Sequence, residues 1–228
     1  MKVGGFQKFS LIEYPGKICA VIFTQGCNFR CWYCHNPELV FPELYSPEIP
    51  LIEIYDFLEK RKGKLEAVCI TGGEPTQHAD LIEVMKRIKD KGFLIKLDSN
   101  GSRPEVLKTM IELNLVDYLA IDVKAPLEEY SKIVGWQVPA EKLKKTIQLV
   151  IDANVDYEFL TTVVKSLVRE DLQKIADSIK GAKKYYLQKF SPLRLGDDKQ
   201  HKEETYNDKE LNRLAKIFEK NVKFYGVR

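Results

Sequence analysis

Three cysteines within eight residues are the part of this sequence best suited to chemistry. Cys27, Cys31 and Cys34 have the spacing Cys-x3-Cys-x2-Cys, and they follow the apolar run 18–23, which is typical of a buried strand. Gly26 lets the chain turn sharply where that strand ends. Soft thiolates on one short loop are suited to bind an iron–sulfur cluster or zinc.

Two other interpretations of these cysteines compete with an iron–sulfur site. Positions i, i+4 and i+7 share one face of a helix, so the thiols could be small core groups, although Gly26 and Asn28 are poor helix formers. Structural zinc normally takes four protein ligands, and the fourth would be His35, Cys19 or Cys69. His35 directly follows the last cysteine of the loop, so the two side chains could not easily face one ion. Three thiolates can instead hold a cubane cluster that keeps one iron free for a substrate.

Strand-like and helix-like segments alternate along most of the chain. The strand-like segments are 18–23, 67–71, 93–97, 118–122, 157–164 and 185–190, with an edge strand at 222–225. Such alternation predicts parallel strands with helices outside, joined by right-handed crossovers. Six units fall short of the eight that close a TIM barrel. We therefore predict an α/β fold, an open (β/α)6 partial barrel.

Composition places limits on the class of protein. Apolar residues make up 44% of the 228 residues, enough to fill the core of a single domain. In that domain, 1–17 would lead into a barrel core at 18–190, and 191–228 would form a C-terminal extension. The N-terminus lacks the apolar region of a secretory signal and no apolar run reaches ~18 residues, so a cytoplasmic protein without a membrane span is expected. A net charge of +3 gives no indication of nucleic-acid binding.

Polar motifs follow four of the predicted strands at their carboxyl ends. The cysteine loop follows the first, and the others are Gly72-Gly73-Glu74-Pro75, Asp98-Ser99-Asn100-Gly101 and Asp122-Val123-Lys124. Functional groups of parallel α/β folds collect at these strand ends. The motifs are therefore expected to converge on one mouth of the barrel.

Each motif has a chemical use and a simpler alternative. The glycine pair at 72–73 allows close approach of the backbone to a ligand, although a tight turn would also use it. The oxygen-bearing side chains at 98–100 suit a ribose or a cation. Asp122 and Lys124 lie two apart on an extended segment and share one side, where a plain salt bridge is the alternative.

The cysteine motif and its flanks resemble a known family. Cys-x3-Cys-x2-Cys with an aromatic residue, Tyr33, before the last cysteine is typical of radical S-adenosylmethionine (SAM) enzymes. The string Cys-Asn-Phe-Arg-Cys-Trp-Tyr-Cys-His-Asn-Pro-Glu at 27–38 resembles the activating enzymes of glycyl-radical proteins. With the segments 4–8 and 10–16 ahead of it, the sequence is most similar to the activating proteins of anaerobic ribonucleoside-triphosphate reductase.

This resemblance implies a 4Fe–4S cluster on the three cysteines, with SAM as the second cofactor. The 72–74 motif would bind the SAM amino group, Lys124 its carboxylate, and the backbone of Tyr33 its adenine. A monovalent cation near that carboxylate would be held by Asp98, Ser99, Asp122 and the Ala120 carbonyl.

The far side of the implied pocket departs from the family pattern. Related chains often place an arginine near Leu160, where this chain leaves Thr161 and Thr162 as the polar groups, and Gln188 replaces a histidine region of the next strand. Among the remaining candidates, Cys19 and Cys69 are expected to be buried small residues. His35 is expected to hydrogen-bond within its loop, and His78 and His201 to lie at the surface.

The implied function is transfer of a radical to a partner protein. Reduction by a flavodoxin- or ferredoxin-type donor would cleave SAM, and the resulting 5′-deoxyadenosyl radical would take a hydrogen atom from a glycine of the anaerobic ribonucleotide reductase large subunit. Alternatives are activation of another glycyl-radical enzyme, such as pyruvate formate-lyase, or radical SAM chemistry on a small substrate, as in deazaguanine or tRNA-base synthesis. An electron carrier or structural metal module is the non-enzymatic alternative.

Overall fold

A computed structural model describes residues 1–192 and 205–228. Within these ranges the strands are β1 (Val3–Ser10), β2 (Cys19–Thr24), β3 (Ala67–Gly72), β4 (Leu94–Ser99), β5 (Tyr118–Asp122), β6 (Asp156–Val163), β7 (Lys184–Lys189) and β8 (Phe224–Val227). The helices are α1 (Leu51–Glu59), α2 (Leu81–Asp90), α3 (Pro104–Glu112), α4 (Tyr130–Val134), α5 (Ala140–Asp152), α6 (Arg169–Ser178) and α7 (Asp208–Ala215). His201 and the segment 193–204 of the predicted C-terminal extension lie outside the described residues.

All eight strands form one sheet in the order in which they follow along the chain. β1 pairs with β2 in antiparallel fashion, and every later neighbour pair is parallel. The α/β partial barrel is confirmed, and the ends of its six predicted strands are correct to within two residues. The predicted edge strand is β8, which adds a seventh parallel strand beside β7.

The helices pack on the outer face of the sheet because their apolar residues recur at helical spacing. α2 buries Leu81, Val84, Met85 and Ile88, which is the i, i+3, i+4, i+7 pattern of one face. On the sheet, residues such as Ile22 and Leu97 point into the same outer core. This core holds the strands in register and thereby fixes where each strand ends.

The inner face of the sheet is filled by side chains only near the amino ends of the parallel strands. Cys19, Val21 and Cys69 pack there with Tyr14 and Tyr118, whose ring centroids are 5.8 Å apart. Cys19 and Cys69 are both fully buried, which confirms the expectation for these two residues. Above this layer the barrel is open, at the end where the polar motifs lie.

The turn after α3 and the helix α4 were not predicted from the sequence. Asn114 adopts φ +52° to end α3, and the short helix α4 is followed by Gly135 with φ +61°. Among residues 1–192 and 205–228, no helix combines the length and the apolarity that crossing a membrane requires.

Residues 205–228 pack on the barrel partly through an aromatic stack, and this stack allows a test of the single-domain prediction. The Tyr185 and Phe218 rings are fully buried, with centroids 3.8 Å apart. Phe218→Ala should lower the free energy of unfolding by about 3–5 kcal/mol, because it leaves a large core cavity. Urea denaturation followed by circular dichroism measures this change.

Phe224→Ala is the matched control, since Phe224 is exposed, and it should change stability by less than about 0.5 kcal/mol. Separate unfolding of the segment after β7 in Phe218→Ala, with the rest of the chain unaffected, would contradict a single domain.

Candidate active site

One cavity of about 780 Å³ opens at the carboxyl ends of the parallel strands. The structure brings the predicted ligand residues to its wall, whereas Thr161 is buried outside the lining and donates to the Val123 carbonyl at 2.6 Å. The lining includes Cys27, Cys31, Tyr33, Cys34, Gly72, Gly73, Glu74, Asp98, Ser99, Asn100, Asp122, Lys124, Thr162 and Gln188. The four polar motifs thus share one space, although their roles as ligands stay predictions.

The cysteine loop has an irregular backbone that other segments hold in place. Residues 27–34 form no helix, so the interpretation of the thiols as one apolar helix face is wrong. The Gly26 N–H donates to the Leu39 carbonyl at 2.7 Å, and the Arg30 N–H donates to the Val134 carbonyl at 2.7 Å. The Arg30 guanidinium donates to the Cys27 carbonyl at 2.6 Å, which braces the loop from within.

An aromatic layer supports the loop from below. Phe29 and Tyr33 are buried in it, and the Phe29 ring meets the Tyr130 ring at 6.2 Å. His35 stacks on Phe190 at 5.6 Å, and its Nε2 accepts a hydrogen bond from the Ser191 N–H at 3.4 Å. His35 is thus held by residues that follow β7, and its hydrogen bond does not lie within its own loop as expected.

The donor set fits a three-thiolate cluster better than four-coordinate zinc. All five cysteines are free thiols, and the three in the loop are partly exposed to the cavity. Cys19 and Cys69 are fully buried in their strands, and His35 packs on Phe190, so residues 1–192 and 205–228 offer zinc no clear fourth cysteine or histidine. Three sulfur donors beside an open cavity are what a cluster with one accessible iron requires.

Burial favours the protonated form of the three loop thiols. Burial raises the pKa of Cys27 to about 12 and that of Cys31 to about 11, and it also raises the pKa of Cys34. Lys124 opposes part of this shift at all three thiols. Metal binding must therefore displace protons from all three sulfurs.

The glycine pair is needed for packing against the cysteine loop, a reason the sequence did not reveal. A Cβ on Gly72 would lie 2.4 Å from the Thr24 nitrogen, and one on Gly73 would lie 2.1 Å from the Gly26 carbonyl oxygen. Gly72 also has φ +111°, where side chains are strained. The Glu74 N–H then donates to the same Gly26 carbonyl at 2.7 Å, which ties the two motifs together.

The carboxylate of Glu74 joins the ends of β3 and β4. It is buried, and it accepts hydrogen bonds from the Thr76 N–H at 3.1 Å, the Ser99 hydroxyl at 2.9 Å and the Asn100 N–H at 2.7 Å. Burial raises its pKa, and these donors partly offset that shift. Asn100 continues the network by donating to the Asn28 side chain of the cysteine loop at 2.9 Å.

Both carboxylates of the implied cation site already face a lysine. Asp98 pairs with Lys96, and Asp122 pairs with Lys124 at 3.1 Å. The Ser99 hydroxyl donates to Glu74 instead of facing a cation. A bound cation would have to compete with two ammonium groups, and it stays a prediction.

The structure adds charged residues that sequence reasoning missed. Lys96, Glu158 and Arg228 line the same cavity, as does Glu13 of the β1–β2 loop. The signal for two of them was present: a lysine and a glutamate in the middle of otherwise apolar strands must be paired if they are buried. Nothing local to residue 228 indicated its partner.

The position of His78 differs from the predicted surface position. His78 is half-buried, and its Nε2 is buried without a hydrogen-bond partner among the described residues. Desolvation lowers its pKa. The predicted surface position is therefore wrong, because the turn after β3 folds this side chain against the protein.

Comparison with known proteins agrees with the site. The Radical SAM superfamily profile matches residues 21–179. A Methanocaldococcus jannaschii protein with the provisional name glycyl-radical enzyme activating enzyme is 38% identical over 99% of this chain and 95% of its own length. The pyruvate formate-lyase-activating enzyme of Clostridium pasteurianum is 26% identical over 78% of this chain and 76% of its own.

A solved structure shows the same fold. Streptococcus suis SuiB bound to SAM superposes with a TM-score of 0.67 at 16% identity, covering 90% of this chain and 49% of that one. The chain therefore belongs to the radical SAM superfamily and, within it, to the family of glycyl-radical enzyme activating enzymes. The superfamily implies a 4Fe–4S cluster and SAM as cofactors.

The contact between the glycine pair and the cysteine loop gives a prediction. Gly73→Ala should displace the Gly26 carbonyl, because no backbone can accept an atom at 2.1 Å. We expect the reconstituted iron content to fall by at least half, as measured by iron and sulfide analysis.

Gly5→Ala is the control, since its nearest neighbour is the Phe23 side chain at 3.3 Å, which can shift. Full iron loading of Gly73→Ala would show that the turn does not support the loop.

Proposed function

We propose that this protein activates an anaerobic ribonucleoside-triphosphate reductase by generating a glycyl radical on its large subunit. The observation that carries the proposal is the convergence of three free thiols and three strand-end motifs on one cavity. Relatedness over the whole chain to a glycyl-radical enzyme activating protein supports the activity. The resemblance of the segments 4–8 and 10–16 supports the reductase as the target.

Different residues of the chain would bind the cluster and the separate parts of SAM. Cys27, Cys31 and Cys34 would hold the cluster, and the ammonium of Lys124 would face the SAM carboxylate. Lys124 suits an anion because it is charged at neutral pH: burial lowers its pKa, but Asp122 and other neighbours raise it well above the usual range. The motif at 72–74 would hold the amino group, the oxygen-bearing side chains at 98–100 the ribose, and the backbone of Tyr33 the adenine.

When bound, the cluster and SAM supply a 5′-deoxyadenosyl radical after one-electron reduction by a flavodoxin- or ferredoxin-type donor. The protein supplies orientation and excludes water from that radical. The buried aromatic layer under the cysteine loop suits this task. It shields that side of the loop from solvent, so that access to the site is through the mouth of the cavity. No side chain has to act as a general acid or base.

A small polar substrate is the second candidate. Lys96, Glu158 and Arg228 are polar groups of the kind that such a substrate would require beyond Thr162 and Gln188. The Glu158 carboxylate, however, is already saturated by Arg228 and Tyr118. A protein substrate is favoured because the cavity is open and its lining includes Ile12, a large apolar side chain that is 85% exposed.

The cluster assignment can be tested one cysteine at a time. Cys27→Ala, Cys31→Ala and Cys34→Ala should each abolish SAM cleavage, because two thiolates cannot hold the cubane in the required orientation. The measurement is 5′-deoxyadenosine formed by anaerobically reconstituted protein with dithionite.

Cys19→Ala is the matched control, since its thiol is fully buried in β2 away from the cavity wall. It should retain wild-type cleavage. Retained cleavage in any one of the three loop variants would refute the ligand assignment.

The target is tested by mixing the reduced, SAM-loaded protein with each candidate partner. The large subunit of anaerobic ribonucleotide reductase should develop the doublet of a glycyl radical in its electron paramagnetic resonance spectrum, whereas pyruvate formate-lyase should not. The opposite pattern would reassign the target within the same family. Cleavage of SAM without a radical on either partner would favour the small-substrate alternative.

A further inference from the structure

Arg228 enters the cavity from the strand that extends the six-unit barrel. Its N–H donates to the Leu187 carbonyl at 2.9 Å, and its carbonyl accepts from the Lys189 N–H at 2.9 Å. The backbone of Arg228 is therefore fixed along β7. The side chain lines the cavity, and it is 39% exposed.

The guanidinium is held in one orientation. It pairs with both carboxylate oxygens of Glu158, with Nη1 at 2.6 Å and Nη2 at 2.7 Å, and it lies over the Tyr186 ring at 3.7 Å. The Tyr118 hydroxyl donates to the same carboxylate at 2.8 Å, so Glu158 is fully buried and saturated. A planar fork paired and stacked in this way loses little further entropy when it binds a ligand.

The pairing with Glu158 leaves further N–H groups of Arg228 that can donate to a bound ligand. An arginine has five N–H groups, and two-point pairing with Glu158 uses two of them. The ion pair is neutral overall, so the remaining donors attract a carbonyl oxygen without requiring a charged ligand. A free anionic metabolite would find the nearby carboxylates of Glu158 and Glu13 unfavourable.

Neighbouring strands extend the same wall with groups that both donate and accept. Thr162 and Gln188 are register partners on β6 and β7, and the Thr162 hydroxyl lies 3.4 Å from the Gln188 side-chain oxygen. Leu160 lies between Glu158 and Thr162 along β6 and adds an apolar side chain to the same lining. Donors and acceptors on adjacent strands suit the alternating N–H and C=O groups of a polypeptide main chain.

The entrance to the cavity favours a protein segment over a small molecule. Ile12 of the β1–β2 loop is 85% exposed and lines the cavity, and its chain neighbour Leu11 is 64% exposed. The Ser10 hydroxyl accepts from the Ile12 N–H at 3.3 Å, and Tyr14 is buried, so this loop is fixed with its apolar side chains outward. An exposed apolar side chain in the lining that also contains Arg228 fits a segment with apolar residues near its glycine.

We infer that Arg228, oriented by Glu158, binds main-chain carbonyl groups of the partner segment that carries the glycine. Thr162 and Gln188 complete this subsite. The inference rests on the proposed function, because it names how the substrate of that same cavity is held.

The test is the affinity of the reconstituted, SAM-loaded protein for a fluorescent synthetic peptide. The peptide spans the radical-bearing glycine of the anaerobic ribonucleotide reductase large subunit, and fluorescence anisotropy gives its Kd. Arg228→Ala should weaken binding about tenfold, because charge-assisted hydrogen bonds are lost. Arg228→Lys should not restore it, because an ammonium cannot pair with Glu158 and reach the guest in the same geometry.

Two further variants keep the result interpretable. Glu158→Gln preserves the size of the side chain but removes the charge that orients the Arg228 guanidinium, so it should weaken peptide binding several-fold. This variant tests the inference even if Arg228→Ala fails to fold. Arg87→Ala is the control, since Arg87 forms an exposed pair with Glu83 on α2, and its Kd should match the wild type. A structural role alone would lower the melting temperature of the Arg228 variants without raising Kd.

The inference is overturned if Arg228→Ala and Glu158→Gln bind the peptide within twofold of the wild type. It is also overturned if the wild type does not bind the peptide at all. In that case, formation of 5′-deoxyadenosine by the wild type shows that SAM cleavage stands and only the recognition of the segment is wrong. Absence of 5′-deoxyadenosine would instead refute the proposed function.

Discussion

The contact between the Gly26 carbonyl and the turn at 72–74 is the constraint on which the site depends. Three thiols must stay apart and unpaired on a loop with no regular structure, so the loop needs support from outside itself. The β3 turn gives that support at a distance that only glycine permits at position 73. Glu74 then carries the same support to the end of β4 through Ser99 and Asn100. Cysteine loop and strand ends are therefore one unit, and a shift in either moves both.

Three pairs of oppositely charged side chains on the cavity wall are the second feature that organises the site. Lys96 with Asp98, Lys124 with Asp122, and Arg228 with Glu158 each combine opposite charges on the cavity wall. An unpaired charge at such depth would cost several kcal/mol, so each group needs its partner whether or not it meets a ligand. Pairing also keeps the donors oriented, which is why groups that stabilise the barrel can serve binding as well.

The sequence predicted the fold and the meeting of the motifs because both follow from short-range patterns. Strand–helix alternation gives the parallel sheet, and the order of the strands then brings their ends together without further information. Most of what the sequence missed depends on contacts between residues that are distant along the chain, whereas Lys96 pairs with Asp98 only two positions away. The use of Glu74 inside the protein required knowing where Thr76 and Asn100 lie. The role of Arg228 required a pairing across 70 positions. The packing role of the glycine pair was missed for the same reason, since its neighbour Gly26 is distant along the chain.

The central claim is that three thiolates leave one iron open to SAM. The most direct measurement is the electron paramagnetic resonance spectrum of the reduced, anaerobically reconstituted protein before and after SAM is added. A single 4Fe–4S signal that shifts on adding SAM is the predicted result, because the ligand then contacts the iron that no cysteine holds. A spectrum that SAM leaves unchanged, or a protein that binds zinc in place of iron, would contradict the account.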